Sequence, residues 1–253
     1  QQGVFTDALG NRLLLIITLS MLMTPILFLV YDYLHKRFEG AKQTSEPDEI
    51  DHAGPVIIAG VGRFGQIVNR LVESSGFKTV VLDNNLKRIQ LMRSFGYRAF
   101  LGDPTRPELL RAAGLRDARV LVVSLDDTEA GLRLVRHARK ERPDIHIIAR
   151  ARDRGHVFAL YEAGANDIVR ELFDSSLRAG RYVLENVGMT EYEAAEAEQA
   201  FYAHDRMALK ELAQLWKPDQ DMASNEAYRK RVRELEKDLE LSLQALAEKK
   251  DSA

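Results

Sequence analysis

Between Pro55 and Glu171 the chain repeats one pattern, a short and nearly all-apolar run followed by a segment of helical spacing. The runs are "PVIIA", "KTVVLD", "YRAFLG", "ARVLVVS" and "IHIIARA", separated by Phe64 to Ser75, Leu86 to Phe95, Pro107 to Ala113 and Asp127 to Lys140. A strand that is apolar on both faces must be covered on both faces. Helices alternating with such strands are the crossovers that a parallel sheet requires. "VFALYEAGANDIVRE" then closes the unit near residue 170 with a helix and a short strand. Thr105-Arg106-Pro107 reads as a helix start, with Thr105 as N-cap and Pro107 in the first turn.

The first strand runs into "GVGRFGQ", in which Gly60-x-Gly62-x-x-Gly65 lies between strand and helix. Glycines at this spacing permit a tight turn and let backbone N–H groups approach phosphate oxygens at a helix N-terminus. The same spacing also serves close packing of a helix on a strand. Asp83 ends the second strand, where a carboxylate accepts hydrogen bonds from ribose hydroxyls and repels a 2′-phosphate. The pattern predicts an α/β, Rossmann-like doubly wound parallel sheet that binds an adenine nucleotide without that phosphate, AMP or NAD(H). Hydride transfer needs a proton donor and a substrate domain beside the nicotinamide. Helical segments follow instead, without a Tyr-x-x-x-Lys pair, so the reading is a ligand sensor with no catalytic residues and not an enzyme.

At the N-terminus, Leu13 to Tyr31 carries no charged residue and is long enough to cross a bilayer, with Pro25 as a kink site. The basic cluster His35-Lys36-Arg37 follows the apolar stretch, the reverse of a signal peptide, and places everything after about residue 37 in the cytoplasm. The expected organisation is residues 1–37 as the end of a membrane domain with a transmembrane helix at about 13–34, 38–54 as an acidic linker, 55–170 as the nucleotide domain and 171–253 as helical extension. The loop-like start "QQGVFTDALGN" suggests the tail of a longer membrane protein. A net charge of −2 gives nucleic acid no basic face. The absence of cysteine removes disulfides, thiolate nucleophiles and Cys-type zinc sites, and six scattered histidines form no metal motif. Beyond residue 170, Phe173 to Val187 and Tyr192 to Leu215 have amphipathic spacing, and Tyr228, Val232, Leu235, Leu239, Leu243 and Leu246 form one stripe whose partner is open.

A last membrane helix, a linker, "VIIAGVGRFGQ", "VVLD", "LGDPTR", "LDD" and "IIARARD" together resemble the cytoplasmic RCK/KTN domain of glutathione-gated potassium efflux (Kef) systems, which are monovalent cation:proton antiporters. The resemblance covers nearly the whole chain and weakens after about residue 215. It implies a homodimeric regulator in the inner (plasma) membrane of a bacterium, attached to an upstream multi-pass domain that exchanges K⁺ for H⁺, with an ancillary oxidoreductase subunit as a further partner. It implies closure by glutathione and opening by glutathione S-conjugates. On the nucleotide side it adds Arg63, Phe64, Asn84, Asp103, Thr105, Arg106, Ser124 and Asp126 to the glycines and Asp83.

By similarity, the glutathione positions are Arg70, Phe95, Asp153 and Arg170, with Arg152 and His156 close by. Glutathione carries two carboxylates and an ammonium, so arginines beside an acid suit it. Where the family pattern has an Asn, this chain has His204-Asp205, and Asp205 would repel a glutathione carboxylate unless His204 turns inward. Two other readings stay open: a membrane-anchored NAD-dependent oxidoreductase, and an RCK domain gated by nucleotide alone.

Overall fold

The computed structural model describes residues 7–41, 48, 50 and 54–251. By internal contacts the chain divides into residues 1–46 and 47–253. The first unit contains α1 (Asp7–Ala41), in which Leu14–Tyr31 is apolar and long enough to cross a membrane. Two of its hydroxyls are turned back on the helix: those of Thr18 and Thr24 donate to the carbonyls of Leu14 (2.7 Å) and Ser20 (2.9 Å). The helix continues to Ala41, so residues 38–41, expected as linker, are helical. Residues 42–47, 49 and 51–53 of that linker, and the side chains of His35, Lys36 and Arg37, lie outside the described residues.

The second unit runs β1 (Val56–Ala59), α2 (Arg63–Ser74), β2 (Thr79–Asp83), α3 (Leu86–Ser94), β3 (Ala99–Leu101), α4 (Pro107–Ala112), β4 (Val120–Val123), α5 (Thr128–Glu141), β5 (His146–Ala151), α6 (Arg154–Ala163) and β6 (Asp167–Arg170). Then come α7 (Phe173–Asn186), α8 (Glu191–Leu215) and α9 (Glu226–Asp251). The strands form one sheet in the order β3-β2-β1-β4-β5-β6, every neighbour parallel. The order reverses between β1 and β4, which opens a crevice at their carboxyl ends.

Alternate residues of each strand feed two cores. Ile58, Val81 and Val122 pack with Ile89 and Met92 of α3 on one face. Ile57, Ala59, Val80, Leu82, Leu121 and Val123 pack on the other with α4, α5 and α6, and this core extends to Ala208 and Leu212 of α8 and Tyr228 and Leu235 of α9. The C-terminal stripe therefore finds its partner in α8 of its own chain. Residues before the helices hold their first turns: Asn85 accepts from the N–H of Lys87 and Arg88, Asp127 from Ala130, and Asp153 from His156. Thr190 and Glu193 form a reciprocal capping box at α8.

Thr105 does not cap α4. Arg106 occupies the N-cap without a side-chain bond, and the Thr105 hydroxyl and N–H both go to Asp103 Oδ1, at 2.8 and 2.9 Å. The nearer carboxylate outcompetes the helix terminus. On the β3 edge, the Asp48 N–H donates to the Leu101 carbonyl at 3.0 Å, while its carboxylate accepts from the Leu101 N–H and from Arg93 (2.6 Å). That closes part of an exposed strand edge.

The glycine turn is fixed by contact rather than by flexibility. Gly60 has φ +96°, and a Cβ on Gly65 would strike the Gly60 carbonyl oxygen and approach the Ser124 hydroxyl to 2.9 Å. Replacing Gly65 with Ala is expected to destabilise the domain by about 1–3 kcal/mol, the usual range for overpacking. Chemical denaturation checks this, and an unchanged midpoint would refute the contact.

Candidate functional site: the crevice at the sheet reversal

Seven of the residues singled out from the sequence line one crevice of about 320 Å³: Gly60, Asp83, Asn84, Asp103, Thr105, Ser124 and Asp126. Gly62, Arg63, Phe64 and Gly65 stand beside it as the N-cap and first turn of α2. No side chain caps Gly62, so the helix-terminal N–H groups are left for an anion. Arg106 is exposed and lies outside the lining. Asp83 is 3% exposed and already at work within the protein. Its Oδ2 accepts the Val61 N–H at 2.7 Å and its Oδ1 the Asn85 N–H at 2.7 Å. Ser124 Oγ donates to the Gly60 carbonyl at 2.6 Å, so its hydroxyl braces the turn.

Beyond Arg63 and Arg106, the sequence motifs do not point to Arg88 and Arg133, which line the crevice, or to Arg150, which pairs with Asp126 from outside the lining. Arg88, on α3, lies 3.5 Å from Asp83 and 3.1 Å from Asp126, bridging the crevice. Burial pulls its pKa down, but the bond to Asp126 and the two negative charges outweigh that and raise it. Arg150, with a side chain only 4% exposed, meets Asp126 at 3.0 Å and Glu171 at 3.2 Å. Burial pushes the Asp126 pKa up, yet the bonds from Arg150 and Arg88 hold it below the ordinary carboxylate value. Arg133, Asp127 and Ala130 of the α5 region complete the wall. The signal for Arg150 was present as a charged residue interrupting an apolar strand, "IHIIARA".

The proposed glutathione residues fall into three groups. Arg70 on α2 and Phe95 at the end of α3 are exposed, Phe95 at 67%. Arg152, Asp153 and His156 sit at the β5–α6 corner. There Asp153 caps α6, and His156 Nδ1 accepts the Arg152 N–H at 3.3 Å while its Nε2 is buried without a partner. Arg170 and Asp205 form an ion pair, joined by Arg154 at 2.9 Å, and the Arg170 guanidinium lies 3.7 Å from the centre of the Phe173 ring. Asp205 is thus buried and matched by two cations. His204 lines a small cavity with Val232, Leu235 and Leu239 between α8 and α9, and Arg154, Phe201 and Asp205 form the wall it shares with the cavity that contains Arg170. Among the described residues no group of three or more His, Asp or Glu could hold a metal ion.

Two measurements follow. An Asn at position 83 offers one acceptor oxygen for two N–H groups, so Asp83→Asn should lower stability by about 1–3 kcal/mol in denaturant titration. His156 is held below its ordinary pKa chiefly by burial, and Asp153 only partly opposes that. Its folded pKa lies below the unfolded value of about 6.5, so its contribution is full above that pH and is lost as pH falls toward the depressed value. Melting temperatures of His156→Asn should therefore fall less than wild type between about pH 7 and pH 5.

The TrkA-N domain family matches residues 56–171, and the C-terminal domain of potassium efflux system KefB matches residues 175–253. The glutathione-regulated potassium-efflux system protein KefC of Cronobacter sakazakii is 43% identical over 206 residues, 81% of this chain and 33% of that protein. KefC of Escherichia coli is 42% identical over 205 residues. The chain spans about a third of the length of these curated relatives. Among solved structures, the Shewanella denitrificans Kef C-terminal domain in its AMP-bound form is 38% identical and superimposes with a TM-score of 0.60, covering 66% of this chain and 100% of that one. The fold, the reversal crevice and these matches agree: the chain belongs to the Kef family, as a C-terminal domain of the RCK/KTN type.

Proposed function

We propose that this chain is the cytoplasmic regulatory part of a potassium efflux antiporter and that its crevice holds an adenine nucleotide. The observation that carries the nucleotide reading is the crevice itself, at the strand-order reversal, with an uncapped helix start on one side and Asp83 on the other. A phosphate fits the helix terminus, where backbone N–H groups and the helix field both favour an anion. A ribose diol fits the lone pairs that Asp83 retains after accepting two N–H bonds. Pockets for small ligands span about 300–1,000 Å³. At about 320 Å³ this one suits AMP, and NAD(H) would extend its second half outside. The AMP-bound Kef relative supports the same choice.

Regulation by glutathione is the finer part of the reading, supported by the names of the KefC relatives. Arg70 and Phe95 are exposed on α2 and at the end of α3, on the β1–β3 half of the sheet, whereas Asp153 and Arg170 belong to the β5–α6–β6 end of the strand order. Glutathione would therefore bind between two copies. The α7 helix suits a dimer contact: none of its residues is buried, and Leu172, Tyr182, Val183 and Val187 are exposed around it. The leading helix would fix the assembly to the membrane, with an upstream transport domain exchanging K⁺ for H⁺.

AMP at about 100 times its dissociation constant should add roughly 2.7 kcal/mol to stability, read as a rise in melting temperature. Millimolar glutathione should raise it independently. Arg70→Ala is the clean test, because Arg70 is exposed and its removal uncovers no buried group. The glutathione shift should vanish and the AMP shift persist. Arg170→Ala is a poorer test, since it strips one of two cations from buried Asp205. No response to AMP or NADH would reject the nucleotide reading, and a response to nucleotide without one to glutathione would reject glutathione gating.

A further inference from the structure

Six charged side chains form a continuous chain of ion pairs around the carboxyl end of the sheet. Asp83 lies 3.5 Å from Arg88, and Arg88 3.1 Å from Asp126. Arg150 stands 3.0 Å from Asp126 and 3.2 Å from Glu171. Arg63, at the start of α2, returns to Glu171 at 3.6 Å. Arg63, Arg88 and Asp126 are solvated, with side chains 93%, 39% and 56% exposed, and the pairs they make are individually weak. Arg150 is different, because its side chain is 4% exposed and its guanidinium also donates to the Leu125 carbonyl at 2.6 Å. Leu125 and Asp126 line the crevice. Glu171 follows β6, is tied by its N–H to the Ala151 carbonyl at 2.9 Å, and lies two residues before α7 begins.

We propose that Arg150 is a positioning residue that couples nucleotide occupancy of the crevice to the start of α7. This rests on the nucleotide reading above. A planar guanidinium holds two carboxylates in fixed directions, so it links the crevice loop and the β6–α7 junction more rigidly than a flexible ammonium could. Its charge is shared between Asp126 and Glu171 in a poorly solvated place, so weakening one pair strengthens the other. A nucleotide entering between Asp83 and Asp126 competes for Arg88 and alters the charge beside Asp126. Arg150 passes that change to Glu171. The responding element is α7, which rests on α8 through Phe173 against Phe201 and Tyr202 but fully buries none of its own residues.

The test is hydrogen–deuterium exchange on the full 253-residue chain with and without saturating AMP. The readout is the AMP-induced ratio of rates in each segment, which a merely structural loosening of α7 does not mimic. In wild type, AMP should slow exchange in residues 60–66 and also in residues 170–176, the latter by about fivefold or more, the low end of ordinary coupling. Arg150→Met, which keeps an unbranched apolar stem without the charge, should keep the first effect and lose the second. Arg150→Lys, which can hold one carboxylate but not both, should behave as the Met variant while melting closer to wild type. If Arg150→Met does not fold, Glu171→Gln decides, and it too should lose only the second effect. Protection at 170–176 that survives in a folded variant overturns the coupling. Wild-type protection confined to 60–66 also overturns the coupling and leaves the nucleotide reading intact. No protection at 60–66 overturns the nucleotide reading and the coupling with it.

Discussion

A single buried carboxylate, that of Asp83, holds the glycine turn in register with the end of β2. Backbone N–H groups from Val61 and Asn85 converge on its two oxygens, each at 2.7 Å. Segments more than twenty positions apart in sequence therefore share one acceptor, and hydrogen bonds to a charged group are about twice as strong as neutral ones. On the other side of the turn, Ser124 at the end of β4 donates to the Gly60 carbonyl. Between these anchors Gly65 has no room for a side chain. The crevice is thus pre-formed, with its helix start aimed where an anion would sit, so binding need not first order the loop.

The charges around the crevice follow from sheet order. Placing β4 between β1 and β5 brings Asp126 within reach of both Arg88 and Arg150. A cation as buried as Arg150 is costly to desolvate, and removing either partner from such an arrangement destabilises more than the pair's own net worth. A well-packed apolar residue could fill such a strand position as stably, so the polar choice points to a connecting role.

A second cluster, Arg154, Arg170 and Asp205, joins the sheet edge to α8. Asp205 does not stand as an isolated negative charge against an anionic ligand, because two guanidinium groups already neutralise it. Recognition of a carboxylate there would require Arg170 to share itself between ligand and Asp205. The exposed apolar side chains of α7 lie next to this cluster, so a contact between copies and a change in Arg170 would be felt by the same helix.

Local chemistry determined a good deal by itself. The apolar runs and helical spacings between Pro55 and Glu171 mark the strands and helices, because burial on both faces of a parallel sheet leaves a periodicity that neighbours in sequence carry. The glycine turn and Asp83 at the end of β2 are legible for the same reason: each acts within a few residues or at a fixed step along one βα unit. Thr105 misled because a carboxylate two residues earlier competes for it. Asp126 could not be assigned to Arg88 and Arg150 from sequence, since it lies 38 and 24 positions from them and comes within reach only through the order of the strands in the sheet. The same holds for Arg170 with Asp205, 35 apart, and for the α9 stripe, whose partner α8 is chosen by packing of the whole C-terminal half. Pairing at such distances is decided by tertiary structure, because a charged or apolar side chain carries no record of which remote group the fold will bring to it.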